Sequence, residues 1–178
     1  LFTEYISDNN ATCTEDGTKT ATCDRCGSAT DTVTDKGSKL PHEYINDICV
    51  NCKTIKPSEG LKLKFMTDEE GDYYEISGIG TCTDTKIVSP TEYNDLPVKS
   101  IGASAFRDCK GITSVIIVDS IKNIGNNAFK NCTGLESITL PFVGASENST
   151  GYEQVFGYIF GYTTSSSGTF VNGATYQY

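Results

Sequence analysis

Hydrophobic and polar residues alternate over two stretches near the middle of the chain. The segments LKLKF (61–65) and YYEISGI (73–79) follow the two-residue period of a strand, and the polar segment TDEEGD (67–72) separates them. Period-two alternation on both sides of a short polar turn is the pattern of a β-hairpin. We therefore predict that a hairpin begins the segment 61–97 and caps whatever follows it.

A second pattern repeats with a period of 23 residues. The phrase IGASAFRDC (101–109) returns as IGNNAFKNC (124–132), and the segments 98–120 and 121–143 agree at eight of 23 positions. A fixed period of about 20 to 29 residues with apolar positions at constant phases predicts a solenoid of the leucine-rich-repeat type. Each turn would supply one short strand, SVIIV (114–118) and SITLP (137–141).

The positions kept in both copies predict the core of this mainly β solenoid. Each apolar residue should point inward and pack on its counterpart one turn away. Gly102 and Gly125 are expected where the backbone turns in a conformation that a side chain would hinder. Cys109 and Cys132 are expected as buried thiols, although their spacing also permits a disulfide. The predicted inward pairs are Ile101 and Ile124, Ala105 and Ala128, Phe106 and Phe129, Ile112 and Leu135, Val115 and Ile138, and Ile117 and Leu140.

The first third of the chain has a different composition. Residues 1–56 contain few large apolar side chains but five of the eight cysteines, and KPSEG (56–60) is typical of a linker, which we place at 57–60. So little apolar area predicts a small module stabilised by metal or disulfides. A weak internal echo relates FTEYISDN (2–9) to PHEYINDI (41–48).

Four of these cysteines have the spacing of a structural zinc site. Cys23 and Cys26 form one C-x-x-C motif, and Cys49 and Cys52 form a second one 22 residues later. Cys13 and His42 are further candidate ligands, so any four of the six could bind the ion. Disulfides, or thiols that are only packed, remain alternatives, because an odd number of cysteines leaves one thiol free when two bridges form.

Charge and composition exclude several functions. The formal charge is −9 and the pI is about 4.5, which argues against binding to a phosphate backbone. No apolar run approaches the length of a membrane-spanning helix, about 18 residues. His42 is the single histidine, no phosphate-binding loop or hydrolase elbow is present, and the acidic pairs lie in predicted turns. We expect no enzymatic activity.

The segment from residue 142 onward is rich in aromatic, Gly, Ser and Thr residues. It contains nine aromatic side chains and two acidic ones. One interpretation is that the aromatic residues cover the open end of the solenoid, which would otherwise expose an unpaired edge. The other is that they form a stacking surface for a glycan or a protein. The first is favoured because a solenoid needs a cap.

The repeat is similar to a known family. The pattern IGxxAFxxCxGLxSIxLP resembles the BspA-type leucine-rich repeat of bacterial surface proteins, and the resemblance covers residues 72–145. The module 1–56 resembles short C-x-x-C repeats found beside such repeats in surface proteins of gut Firmicutes. The resemblance implies an extracellular protein, secreted or attached to the cell surface, whose repeats bind or adhere and have no catalytic activity. It brings no defined ligand residues with it.

Two functions from different classes therefore remain. In the first, exposed side chains of the strand face bind a host or bacterial surface protein or glycan, and the candidates are Thr113, Ile116, Glu136 and Thr139. In the second, the chain is a structural spacer within a larger surface protein and has no ligand of its own. Neither function involves nucleic acid.

Overall fold

The computed structural model describes residues 1–161, 163–164 and 170–171. Within them the chain forms two compact units, Leu1–Lys56 and Pro57–Tyr178. The prediction of a mainly β protein is confirmed, because the described helices are limited to a 3-10 turn at Gly151–Gln154 and one α-helical turn, α1, at Gly157–Phe160. The domain limits drawn from the sequence, with a linker at 57–60, stay a prediction.

The first unit consists of two small antiparallel sheets. A three-stranded sheet has the order β1–β2–β3, and a two-stranded hairpin pairs β4 with β5. The hairpin turns through Asn46 and Asp47, whose φ angles of 50° and 63° fit the primed turn that a two-residue connection requires. The strands are β1 (Ile6–Ser7), β2 (Thr18–Thr22), β3 (Thr30–Thr34), β4 (Tyr44–Ile45) and β5 (Ile48–Cys49).

The second unit begins with a hairpin and continues in parallel strands. Strands β6 (Lys62–Asp68) and β7 (Gly71–Gly78) pair antiparallel. The remaining strands are β8 (Lys86–Val88), β9 (Glu92–Tyr93), β10 (Leu96–Ile101), β11 (Ser114–Ile116), β12 (Asn123–Ile124), β13 (Ser137–Thr139), β14 (Thr163–Thr164) and β15 (Phe170–Val171). Strands β14 and β15 pair antiparallel, and β9 pairs with β10.

Two parallel stacks carry the repeat. In one, β7, β10 and β12 place Ile76, Ile101 and Ile124 beside one another. In the other, β8, β11 and β13 align Ile87, Val115 and Ile138. The 23-residue period therefore corresponds to one strand of a stack, as from β11 to β13. The segment predicted as a hairpin cap also contributes a strand to each stack, β7 to one and β8 to the other.

The core of this unit consists of ladders of equivalent side chains. The rings of Phe106 and Phe129 stack at 5.2 Å between centroids with 8° between their planes, and both side chains are fully buried. The predicted inward residues are buried except Ile138 and Leu140, which are half-buried. Both lie in the last strand of their stack and the connection after it, where no further parallel strand is described.

The left-handed backbone conformation predicted for the two repeated glycines is not found. Neither Gly102 nor Gly125 has a positive φ. A Cβ added to Gly125 would lie 2.3 Å from the backbone nitrogen of Ala103, and one added to Gly102 would lie 2.9 Å from a carboxylate oxygen of Glu75. Gly125 is needed because the neighbouring turn of the backbone approaches it closely, whereas the contact at Gly102 is with the end of a flexible side chain.

The segment after residue 142 continues the stacking by one further layer. The amide of Ile124 donates to the carbonyl of Ala145, and the amide of Phe129 donates to that of Ile159. Ile159 is fully buried, and the ring of Phe160 lies 6.1 Å from that of Phe129. These contacts favour the capping interpretation for residues 145–161. Tyr162, Tyr176 and Tyr178 lie outside the described residues.

Candidate metal centre and recognition face

The two C-x-x-C motifs fold into the same tight turn. The residue after the second cysteine has a φ of 65° in both, and it is Gly27 in one turn and Lys53 in the other. Its amide donates to the carbonyl of the first cysteine, at 2.9 Å to Cys23 and 3.0 Å to Cys49. A positive φ at a lysine is uncommon, so the surrounding contacts must hold this turn in place.

One of these turns takes part in a four-residue cluster. The candidate ligand atoms of Cys13, His42, Cys49 and Cys52 all lie within 4.8 Å of one another. His42 Nδ1 is 3.3 Å from Cys49 Sγ and 3.4 Å from Cys52 Sγ, and the sulfurs of Cys13 and Cys49 are 3.9 Å apart. Cys13 and Cys49 are buried. The cluster therefore presents three sulfur atoms and one imidazole nitrogen to a common point.

Three chain segments are held together to form this cluster. The amide of Leu40 donates to the carbonyl of Thr12, and the amide of Gly17 donates to the hydroxyl of Ser38 at 2.8 Å. These bonds place the segment before His42 beside the loop that contains Cys13. The ring of Tyr44 stacks on that of His42 with 5.5 Å between centroids, which orients the imidazole.

The pKa values of the cluster differ according to local hydrogen bonding. The backbone amide of Cys52 and then the imidazole of His42 lower the pKa of Cys49 to about 6. The hydroxyl of Thr54, 3.1 Å from the sulfur, lowers the pKa of Cys52. The hydrogen bond with Cys49 raises the pKa of His42, and burial raises that of Cys13 to about 11. The site thus favours a thiolate at Cys49, and the thiolate is the form of cysteine that binds metal ions.

The sequence-based metal set is only partly assembled. Cys49 and Cys52 belong to the cluster, whereas Cys23 and Cys26 do not. Cys23 is half-buried and Cys26 is exposed, and the backbone amide of Ser28 contributes most to a lowered pKa of about 6 at Cys26. In the described structure the two C-x-x-C turns therefore do not share one group of ligands.

The internal echo contained a signal that sequence reasoning missed. In the alignment of FTEYISDN with PHEYINDI, Thr3 takes the place of His42. Thr3 lies at the first C-x-x-C turn, where its hydroxyl donates to Asp24 at 3.1 Å. The turn at Cys23 and Cys26 thus has a threonine where the other turn has a histidine, and threonine is not a usual ligand of zinc.

The four predicted recognition residues form two pairs, one within β11 and β13 and one directly before these strands. Ile116 pairs with Thr139, and the amide of Glu136 donates to the carbonyl of Thr113. Glu136 and Thr139 are exposed, whereas Thr113 and Ile116 are half-buried. The hydroxyl of Thr113 also donates to the carbonyl of Thr85 at 3.2 Å. The face thus brings the four together but leaves two of them most accessible.

A further column on this sheet was missed. Lys86, Ser114 and Ser137 are aligned across β8, β11 and β13. Lys86 and Ser137 are exposed, and the Ser137 hydroxyl donates to that of Ser114 at 2.9 Å. These residues directly precede the inward residues Ile87, Val115 and Ile138. Simple alternation along the strands would have found them.

Comparison with known proteins gives one family match. The family described as BspA type Leucine rich repeat region matches residues 83–166, in 6 copies. No curated protein matches the chain. Within the described residues, none of the helices has the length and apolar character needed to cross a bilayer.

Three solved structures of bacterial proteins are similar to part of the chain. A Treponema pallidum leucine-rich repeat protein, TpLRR, is 26% identical, with a TM-score of 0.40, over 48% of this chain and 38% of its own. A leucine-rich repeat protein from Bacteroides capillosus is 26% identical, with a TM-score of 0.39, over 46% and 66%. One from Bacteroides ovatus is 26% identical, with a TM-score of 0.39, over 56% and 27%. The chain thus spans less than two thirds of each of these proteins.

Proposed function

Because residues 83–166 of this chain match the BspA-type leucine-rich repeat family, we propose that the protein is a bacterial binding or adhesion protein that acts outside the cell. The repeats would form a solenoid whose parallel strands present one face to a partner. The partner is a host or bacterial surface protein or glycan. This role requires no catalytic activity.

The observation that carries this proposal is the regular face of β8, β11 and β13. Its strands are in register, so residues at equivalent positions recur with the spacing of neighbouring strands, about 4.8 Å. The outward column at Lys86 contains one cation and two serines, and Glu136 and Thr139 lie exposed at the edge strand. A mixed polar surface of this kind suits hydrogen bonding to a protein or a sugar.

A spacer function is the alternative, and internal hydrogen bonds on the same face favour it. The hydroxyl of Ser137 bonds to that of Ser114, and the hydroxyl of Thr113 bonds to a backbone carbonyl. Hydroxyls already satisfied within the protein contribute less to binding a partner. In this alternative the repeats only separate other parts of a longer surface protein.

Placing positive charge on the exposed edge separates the two functions. The double variant Glu136→Lys and Thr139→Lys changes only exposed residues of the face. Beads coated with the variant should adhere to mucin or host epithelial cells at least about 10-fold more weakly than beads coated with the unaltered chain, because two long cationic side chains would replace the most accessible polar groups of the proposed binding face. Glu69→Lys, an exposed charge reversal in the β6–β7 turn, is the matched control and should adhere normally.

The result that contradicts recognition is equally specific. Equal adherence of both variants and the unaltered chain, with unchanged circular dichroism and urea unfolding, would remove this face as the binding surface. If the unaltered chain adheres to neither mucin nor cells, the spacer function is supported instead.

The unit Leu1–Lys56 has a separate role in this proposal. It is a structural module stabilised by a zinc ion, since it contains a group of cysteine and histidine ligands but few buried apolar side chains.

A further inference from the structure

We infer that Cys13, His42, Cys49 and Cys52 together bind one structural zinc ion, and that Cys23 and Cys26 take no part in it. This assignment rests on the proposed structural zinc of Leu1–Lys56 and is independent of the recognition face. It replaces a set of four thiolates with three thiolates and one imidazole.

Three distances within the cluster are close to the edges of a zinc tetrahedron, and all the ligand atoms lie within 4.8 Å of one another. Zinc bonds of about 2.3 Å to sulfur and about 2.05 Å to nitrogen imply edges of about 3.8 Å between sulfurs and about 3.6 Å between sulfur and nitrogen. The observed Cys13–Cys49 distance is 3.9 Å, and the His42 nitrogen lies 3.3 and 3.4 Å from the sulfurs of Cys49 and Cys52. A single ion therefore fits between side chains that already converge.

The distance between the sulfurs of Cys13 and Cys49, 3.9 Å, does not fit a disulfide. The sulfurs of Cys13 and Cys49 would have to approach to about 2.05 Å to form one. Such a bond would also leave Cys52 and His42 beside it without the partner that brings them together. The Nδ1 atom of His42 faces two sulfurs at once, which is the arrangement expected of an imidazole ligand.

The ion would supply what this unit lacks. Among the described residues of Leu1–Lys56, the buried apolar side chains are Cys13, Ala21 and Cys49. Two of the three are proposed ligands. The ligands come from the loop after β1, the segment before β4, and the end of β5 with the turn that follows it, so one ion would join three separated stretches of chain. A closed four-ligand site of this kind contributes folding free energy directly.

The internal echo explains why only one of the two C-x-x-C turns takes part in a group of metal-binding side chains. Both C-x-x-C turns have the same backbone hydrogen bond and the same positive φ at the following residue. They differ in the residue supplied by the aligned segment, which is His42 in one and Thr3 in the other. His42→Thr therefore reproduces in the second turn the residue found at the first.

X-ray absorption at the zinc edge tests the ligand set without any variant. The full chain, purified in reductant and loaded with zinc, should contain about one zinc ion with three sulfur neighbours at about 2.3 Å and one nitrogen at about 2.0–2.1 Å. Four sulfur neighbours would overturn this assignment in favour of the four cysteines of the two C-x-x-C motifs. Absence of stoichiometric zinc would overturn the structural zinc proposal as a whole.

Variants then locate the ligands. His42→Thr and Cys13→Ser should each lower the zinc content at least about 10-fold after dialysis against a weak chelator, because a closed structural site needs all four ligands. The paired variant Cys23→Ser and Cys26→Ser is the matched control and should keep about one zinc per chain. Zinc retained by His42→Thr, or lost from the control, overturns the assignment while leaving a zinc site in the unit.

A cobalt spectrum keeps the test decisive if a variant does not fold. Co²⁺ bound to the unaltered chain should show the visible absorption of a tetrahedral thiolate site, and the control variant should give the same spectrum. A changed spectrum in the control would place Cys23 or Cys26 in the site and overturn the assignment.

Discussion

The two units of this protein differ in how much apolar surface they bury. Seventeen of the buried apolar residues lie in the described part of Pro57–Tyr178, and three lie in Leu1–Lys56. The larger unit obtains its core by repetition, since each turn packs on a copy of itself. The smaller unit has a group of metal-ligating side chains where a core would be. The larger unit is thus stabilised by the stacking of equivalent side chains, and the proposed zinc ion would do the same for the smaller unit by joining a few side chains.

This difference predicts where each unit is vulnerable. In the repeat unit, damage to one layer removes contacts with both neighbouring layers, as for Phe129, which lies between Phe106 and Phe160. In the smaller unit, most apolar substitutions would remove little buried area. The substitutions below separate the two cases.

The largest effect is expected from Phe129→Ala. The ring is fully buried, so its removal should lower the free energy of unfolding of the repeat unit by about 3–5 kcal/mol. Urea unfolding followed by circular dichroism measures this change. The control Phe65→Ala removes a ring that is 52% exposed and should cost about 1 kcal/mol. Equal costs for the two would contradict the ladder as the source of stability. The zinc content should not change in either variant.

A smaller effect is expected from Gly125→Ala. The added methyl group would lie 2.3 Å from a backbone nitrogen of the neighbouring turn, so the two turns must separate, at a cost of about 1–3 kcal/mol. Gly111→Ala is the matched control, because no atom lies within 4 Å of its added Cβ, and it should change stability by less than about 0.5 kcal/mol. Urea midpoints compare the pair. A neutral Gly125→Ala would show that close approach does not explain this glycine.

The smallest effect on stability is expected from the loss of a side-chain hydrogen bond between two neighbouring repeats. The side-chain amide of Asn131 donates a hydrogen bond to the carboxylate of Asp108 at 2.7 Å. This bond is the largest cause of a pKa of Asp108 below its usual range. Asp108 therefore contributes stability above its unfolded-state pKa, about 4, and loses it as the pH falls through the lower folded value. In Asn131→Gly, which suits the φ of 61°, the pKa of Asp108 should rise and the acid-induced loss should shrink.

Carboxyl NMR titration and urea unfolding between about pH 2 and pH 6 follow that change. Asn127→Gly is the matched control, because its φ is 59° and the glycine substitution is the same. It should leave the Asp108 titration unaltered. An unchanged Asp108 pKa in Asn131→Gly would show that this bond does not set the pKa.

The repeat unit was largely predictable because its contacts are periodic in sequence. Residues that pack on each other, such as Ile101 and Ile124, are one period apart, so a comparison of the chain with itself identifies them. What it did not identify was the first layer. Ile76 and Ile87 belong to the same stacks but lie outside the recognisable phrase. The close approach at Gly125 also needs the neighbouring backbone, which no sequence pattern contains.

The proposed metal ligands were less predictable for the opposite reason. Both C-x-x-C motifs look alike in sequence, and both fold into the same turn. Which one becomes part of a cluster depends on Cys13 and His42, which come from other loops. Only the comparison of Thr3 with His42 in the internal echo distinguishes the two turns before the fold is known.

Hydrogen exchange of the zinc-loaded chain with and without a strong chelator compares the two units most directly. We predict that zinc removal abolishes amide protection in the strands of Leu1–Lys56, notably Thr18–Thr22 and Thr30–Thr34, while Ser114–Ile116 and Ser137–Thr139 keep theirs. Unchanged protection of the first unit after verified zinc removal would contradict the claim that a metal ion replaces its core. Loss of protection in both units would contradict the claim that the repeats are stabilised by stacking alone.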